Sequence, residues 1–300
     1  MKARRVCQCL SCSLCRERIS PCVPGLPIRP ALTCPKEADA FIGPTWMNSF
    51  VKPPDNGTKP DILFLSHRVP FPPDKGDRIR TFHILRFLAR RASVHLASLA
   101  DEPVTPEAEA ALRRLCCRFQ AIPAANKTRL LRGLGSLARG RSITEGAFSS
   151  AGLRRVVRQW AGATSFHAAM GSASSMAPYL RMPELRDVPA TIDLMDVDSE
   201  KWLDYARARS WPLSWVFQME ARRLRRLERD LPRWARAATL VSQAEAGLFR
   251  SFCAWSEVHA ITNGVDLDYF EPLLEAPPEA GCVFVGALDY YPNIDAATWF

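Results

Sequence analysis

A chain of 300 residues is long enough for one large or two ordinary domains, and a compact fold of that length buries roughly 75% of its unfolded surface. Hydrophobic residues at 47% and charged residues at 24% exclude a wholly disordered, collagen-like or coiled-coil protein. Forty basic against 31 acidic side chains give a formal charge of +9, which suits an anionic partner such as a nucleic acid, nucleotide, anionic lipid or sugar phosphate.

The N-terminal stretch differs from the rest. Six of the ten cysteines (Cys7, Cys9, Cys12, Cys15, Cys22, Cys34) and nine of the 24 prolines lie in the first 60 residues, where apolar side chains follow neither a period of 2 nor one of 3.6. From Met1 to Trp46 this leader carries +4, leaving +5 for the remainder. Val6 to Leu14 is broken by Gln8, Ser11 and Ser13 and followed by Arg16, Glu17 and Arg18, so it is not a secretory signal and a cytosolic location is expected. Disulfides are then disfavoured, leaving free thiols or a metal. Cys9, Cys12 and Cys15 have the C-x-x-C-x-x-C spacing that can wrap three thiolates around a cluster or zinc ion, but they lack a fourth ligand at a recognised spacing and the histidine partners of a zinc finger. Residues 1–58 are read as a disordered or spurious leader, with Met47 as the candidate true start.

From residue 60 a regular alternation begins. Ile62 to Ser66 is an apolar strand, His67 to Lys75 a proline-rich loop, and Gly76 opens a helix with Ile79, Phe82, Leu85 and Leu88 on one side. Ser93 to Leu99 is the next strand, Pro106 to Cys116 a helix with proline in its first turn, and Phe119 to Ile122 a third strand. Gln159 to Leu180 is free of charge and long enough for a membrane span. It holds Thr164, Ser165, His167, Ser172, Ser174 and Ser175, and reads instead as a buried strand and a following turn. Strands at Phe166 to Met170, Ala190 to Met195 and Thr239 to Val241 continue the pattern, which predicts an α/β fold with a parallel sheet covered by helices on both faces.

The longest helical pattern, Leu213 to Ala238, is two-sided. Arg222, Arg226, Arg229, Arg233 and Arg236 fall on one face and Ala221, Leu224, Leu227, Leu231 and Ala238 opposite, with Pro232 expected to bend or split it. Two readings stand for the arginines: a solvated face over a core stripe, or a surface for anionic lipid or a lipid-linked acceptor. Ser242 and Glu245 have the spacing of a capping box, Thr262-Asn263-Gly264 is a turn, and 275–280 reads as a linker.

NGVDLDYFEP at Asn263 to Pro272, after a strand and before a proline-bearing linker, resembles the interdomain connection of family 4-type glycosyltransferases. Four further segments extend the likeness: HRVPFPPDKGDRIRTFHIL (67–85), DLMDVDSEKW (193–202), VSQAEAGLF (241–249) and FVGALDYYPNIDAATWF (284–300). Together they resemble the sugar transferases of PEP-CTERM/exosortase exopolysaccharide systems, from about Pro60 to Phe300.

The resemblance implies a GT-B architecture of two facing Rossmann-like domains: an acceptor-side domain over 59–274, then a donor-binding domain of which 281–300 would be the start, cut off after one strand at Cys282 to Val285. The paired glutamates of the family's donor site do not occur in those twenty residues. It further implies a retaining transfer from a nucleoside-diphosphate-sugar donor to a glycan or lipid-linked glycan acceptor, with no bound metal or other cofactor. The location would be cytoplasmic or peripheral on the inner membrane, with contact through Arg222, Arg226, Arg229 and Arg233. Nucleic acid is disfavoured, because the arginines lack interleaved aromatics.

A departing diphosphate calls for backbone N–H groups at a helix start beside a cation, which points to Gly76 and Arg78, with Arg80 and Lys75 close by, and to Gly286 in the donor half. Asp193, Asp196 and Asp198 crowd the end of a strand, where ligands of open α/β sheets gather. Asp196 and Asp198 are the candidate catalytic carboxylates, Asp198 having helix capping as its alternative role, and Asp193 and His167 the candidate acceptor contacts. His95 reads as a core histidine, and His67 and His83 flank the donor loop. The other reading is a non-catalytic, acceptor-binding remnant lacking the donor domain.

Overall fold

The computed structural model describes residues 59–124, 129–267, 282–286 and 291–300. These fall into two compact units, divided between Gly264 and Val265. The leader with its cysteine cluster and the 275–280 linker lie outside the described residues.

The first unit is an α/β sandwich. Its elements are β1 (Asp61–Ser66), α1 (Gly76–Arg91), β2 (Ser93–Ala100), α2 (Pro106–Leu115), β3 (Arg118–Pro123), α3 (Arg129–Ala138), α4 (Ile143–Ala147), α5 (Ala151–Ala163), β4 (Ala168–Ser172), α6 (Ala177–Leu180), β5 (Ala190–Met195), α7 (Asp198–Arg207), α8 (Leu213–Asp230), β6 (Ala237–Leu240), α9 (Gln243–Phe252) and β7 (Val258–Ala260). All seven strands are parallel, in the order β3-β2-β1-β4-β5-β6-β7. β1 and β2 read as near-continuous apolar runs because both faces of a parallel sheet are covered. On one face Ile62, Phe64, Val94 and Leu96 pack with Leu85 and Leu112. On the other, Leu63, Leu65, Leu99 and Ile192 pack with Leu153, Val157, Leu224 and Phe249.

Local chemistry sets many of the helix boundaries. Thr105 accepts the Ala108 N–H ahead of Pro106, and Ser150 accepts the Leu153 N–H. A complete capping box forms at Ser142 and Glu145, a second Ser-x-x-Glu spacing in the chain. At Ser242 only half of the expected box forms. Ser242 accepts the Glu245 N–H at 3.1 Å, but the Glu245 carboxylate takes the Val197 N–H at 2.7 Å, satisfying an orphan amide at the start of α7.

Three other expectations change. The long helix stops at Asp230 and tightens into a 3₁₀ turn at Leu231–Arg233, as the ring of Pro232 requires, and Ala238 lies in β6. In α1 the buried face carries Arg78, Arg80 and Thr81 beside Leu85 and Leu88, while Ile79 is 40% exposed. Arg80 is tied to that face by the ion pair described below.

In the second unit Cys282–Val285 is not a strand, and Tyr291–Trp299 forms a helix, α10. No helix among the described residues is long and apolar enough to cross a membrane.

Candidate functional site

The strand order reverses between β1 and β4: the chain leaves β1 towards β2 on one side and leaves β4 towards β5 on the other. Loops that part in this way open a crevice beyond the carboxyl ends of the two strands, the usual ligand position in doubly wound sheets.

Backbone strain is concentrated there. Ala173, directly after β4, has φ 77° and ψ 153°, and Met195, the last residue of β5, has φ 67°; no other non-glycine residue among those described has positive φ. Each such residue costs on the order of 1–3 kcal/mol and persists only where its surroundings over-determine it. The Ala173 N–H donates to the Asp193 carbonyl at 2.7 Å, and Ser172 before it shares a hydrogen bond with Thr81 at 2.9 Å. Ala173→Gly removes the Cβ that makes this conformation costly, at a smaller loss through the unfolded state. It is expected to raise stability by about 1 kcal/mol, read as a Tm increase of about 2–4 °C by calorimetry.

The loop after β1 holds an ionic network. His67 Nδ1 faces the Ser172 carbonyl at 3.3 Å and Nε2 faces Asp77 at 3.2 Å, while Arg68 donates to Asp77 at 3.0 Å. Burial alone would raise the Asp77 carboxyl. The His67 bond, the charges of His67 and Arg68 and the Arg78 backbone N–H outweigh it and hold Asp77 well below the usual carboxylate range. Arg78, expected to meet a donor phosphate, is instead buried among Asp74 at 3.2 Å and Asp101 and Glu102 at 3.8 Å. Three carboxylates neutralise that guanidinium, which removes the physical basis for its assignment. Gly76 is exposed at the start of α1, and a Cβ there would meet nothing within 4 Å, so neither space nor a left-handed φ demands glycine at that position.

Asp193 also differs from its expected role. It is fully buried, taking Arg80 Nε at 2.9 Å and Nη2 at 2.8 Å in a two-point pair, and the Thr239 hydroxyl at 2.6 Å. Arg80 Nη1 donates onward to the Ile261 carbonyl at 2.7 Å and to Asn263 Oδ1 at 2.9 Å. This carboxylate has its charge and lone pairs engaged inside the core and is closed to an acceptor. His167 sits at the opposite end of the sheet. It is exposed just before β4, receives the Asp61 N–H at 3.2 Å, and stands a strand length, about 16 Å, from the crevice. His95 is in the core, paired with Asp61 at 2.7 Å and edge-on to Trp160 and Phe166. Gly286 belongs to the second unit, where a Cβ would meet the Asn293 amide at 2.9 Å; local packing accounts for glycine there.

Two of the predicted carboxylates do come together at the crevice. Asp196 is exposed in the turn after Met195, its N–H donating to the Leu194 carbonyl at 3.0 Å. Asp198 is the first residue of α7, not its cap: the cap is Val197, whose side chain makes no capping bond. The Ser174 hydroxyl, next to strained Ala173, donates to Asp198. Burial raises the Asp198 carboxyl above the ordinary range, the Asp196 charge adds to the rise, and Ser174, Lys201 and His67 oppose it.

Two buried or half-buried glutamates from neighbouring helices do the capping that Asp198 does not. The Ser199 N–H donates to Glu228 at 3.0 Å, the Ser199 hydroxyl donates to the same carboxylate, and Glu245 holds Val197. Burial pushes Glu228 up to about 7, with Asp198 adding to the rise against the bonds from Ser199. A folded-state value above the ordinary 4.5 favours the protonated fold, so the contribution is complete below 4.5 and is lost as pH rises to about 7. Tm is therefore expected to fall between pH 5 and 8, by the equivalent of on the order of 2–3 kcal/mol, and Glu228→Gln to flatten that fall in thermal melts.

No protein-family model and no curated protein matches the chain. Solved structures similar to it include TcCGT1 in complex with UDP, at 9% identity and a TM-score of 0.41, covering 73% of this chain and 54% of that one. A UDP-glucosyltransferase from Polygonum tinctorium capable of glucosylating indoxyl matches at 9% identity and a TM-score of 0.42, covering 74% and 56%. The N-terminal domain of Candida albicans trehalose-6-phosphate phosphatase matches at 11% and 0.35, covering 70% and 50%. The chain spans about half the length of these structures. The α/β assignment rests on the seven-stranded parallel sheet itself.

Proposed function

We propose that the chain is a glycosyltransferase of the GT-B kind, passing a sugar from a nucleoside diphosphate to a hydroxyl of a glycan acceptor, with retention, in exopolysaccharide assembly. The reading draws on the five ordered motifs between residues 67 and 300. One observation at the site supports it most: Asp198, a carboxylate raised by burial, stands with exposed Asp196 at the mouth of the β1–β4 crevice.

A general base works best when its pKa approaches the ambient pH. Asp198 is therefore suited to take the proton of an acceptor hydroxyl that attacks the anomeric carbon from the same face from which the diphosphate departs with the electron pair of the broken C–O bond, which keeps the configuration. Ser174 fixes its rotamer, and Asp196 is free of the core and able to contact the acceptor. Strain at Ala173 and Met195 holds the two turns that present these groups. The donor contact proposed at Gly76 draws on the helix start that it opens, and the one at Gly286 on the resemblance.

The test is transfer of radiolabelled sugar from a panel of nucleoside-diphosphate sugars to a lipid-linked oligosaccharide fraction. Label appearing in the glycan only when both substrates are present is the expected result. No incorporation with any donor, from protein that is folded by circular dichroism, overturns the reading.

A further inference from the structure

The turn between α7 and α8 exposes three large apolar side chains within five residues: Trp211 is 80% exposed, Leu213 52% and Trp215 54%. They stand on a firm base. Trp202, Tyr205 and Phe217 below them pack edge to face, with centroids 5.2 to 6.5 Å apart. The bond from Ser199 at the start of α7 to Glu228 near the end of α8 makes the two helices antiparallel. Leu213 therefore lies about 22 Å along α8 from Glu228.

That tip lies on the side of the crevice. The buried residues of α8 are Glu220, Ala221, Leu224, Leu227 and Glu228, none of them among its first seven, so its first two turns stand clear of the core. Glu220, at the middle, receives the Thr144 N–H at 2.9 Å, and Thr144 belongs to the excursion between the carboxyl end of β3 and the start of α5. The charges around the tip are mostly basic. Arg207 and Arg209 flank it, Arg207 in an exposed pair with Asp204 at 2.6 Å, no acidic residue occurs from Arg207 to Met219, and Arg222 and Arg226 follow on the exposed side of α8. The face of Arg222, Arg226 and Arg229 on α8, with Arg233 just after it, is a weaker candidate for the same role, since no large apolar side chain from Val216 to Ala238 is exposed beside it.

We propose that this tip is a membrane wedge: Trp211, Leu213 and Trp215 enter the headgroup boundary of an anionic bilayer while Arg207 and Arg209 meet lipid phosphates. Indole rings, apolar with one N–H donor, favour that boundary, and arginines beside them add attraction to anionic lipid. The wedge goes beyond glycosyl transfer and does not depend on it, because it rests on exposure, chemistry and position alone.

The test uses the full chain and vesicles of phosphatidylcholine with and without about one-third phosphatidylglycerol, a composition chosen to set a negative surface potential. Three proteins are compared by co-sedimentation: the wild type, Trp211→Ser/Leu213→Ser/Trp215→Ser, and Arg207→Gln/Arg209→Gln. Thermal melts of all three are expected to coincide, since each replaced side chain is exposed. The wild type is expected to bind the anionic vesicles. The triple variant is expected to bind them about tenfold more weakly or worse, and the double variant to lose affinity for anionic vesicles only. Lipids brominated near the headgroup are expected to quench tryptophan fluorescence in the wild type and not in the triple variant. Equal binding by the wild type and the triple variant, or no binding by the wild type, overturns the proposal. So does a wild-type dimer on size exclusion that the triple variant abolishes without any vesicle binding, which would make the tip a contact between copies.

Discussion

Arg80→Met is expected to destabilise the first unit by about 3–5 kcal/mol, the cost of leaving a buried partner charge uncompensated. Arg80 joins α1 to β5 through Asp193 and to the chain after β7 through Ile261 and Asn263, so one side chain spans the sheet from its centre to its edge. Methionine keeps much of the volume and removes every one of these bonds. Asp193, held also by Thr239 at 2.6 Å, is then left buried without its cation. Adding Asp193→Leu to the same chain is expected to restore much of the loss, because an apolar pair in such a site is often as stable as the ion pair it replaces. Guanidinium unfolding of the two single variants and the double variant measures this as a cycle. A loss below about 1 kcal/mol for Arg80→Met would show that the pair does not organise the unit.

Asp198→Asn is expected to lower sugar transfer by about 10²- to 10⁴-fold while leaving the fold intact, since it removes a proton acceptor and keeps the shape. Asparagine Oδ1 still accepts from Ser174, and the buried carboxyl whose ionisation the fold opposes is gone. Stability at pH 8 is thus expected to hold or rise as activity falls, a divergence that general structural damage would not produce. The wild-type rate is expected to climb with pH through a value above the ordinary carboxylate range, as Asp198 ionises, and the variant to lack that limb. Steady-state kinetics from pH 5 to 9, with melts on the same samples, check both. Asp196→Asn, at an exposed position, is expected to raise KM more than it lowers kcat.

Much of the sheet was legible without coordinates. β1 is the run DILFLS, β5 the run ATIDLM, and each is followed by a polar turn and a helix, so a period-free apolar stretch marks a strand covered on both faces. β4 was placed two residues early, because Phe166 and His167 continue the apolar run although pairing starts at Ala168. The helices α3 to α5 fill a long crossover that no single periodic stripe announces. The Ser-x-x-Glu spacing at 242–245 marked a helix start correctly, yet it did not say where the Glu245 carboxylate would go, because Val197 lies 48 residues away in sequence.

The division at the site follows the same rule. Composition, apolar runs and turn residues by themselves determined an α/β unit and brought attention to the loop after β1 and to the acidic end of β5, since those signals are local. Which charges face outward was decided only by the tertiary structure. Arg80 and Asp193, 113 residues apart, cancel each other in the core; Arg78 is surrounded by Asp74, Asp101 and Glu102; and Asp196 and Asp198 remain at the crevice. A charge becomes structural or chemical according to the partner the fold sets within hydrogen-bond reach, and for Arg80 that partner lies 113 residues away in sequence.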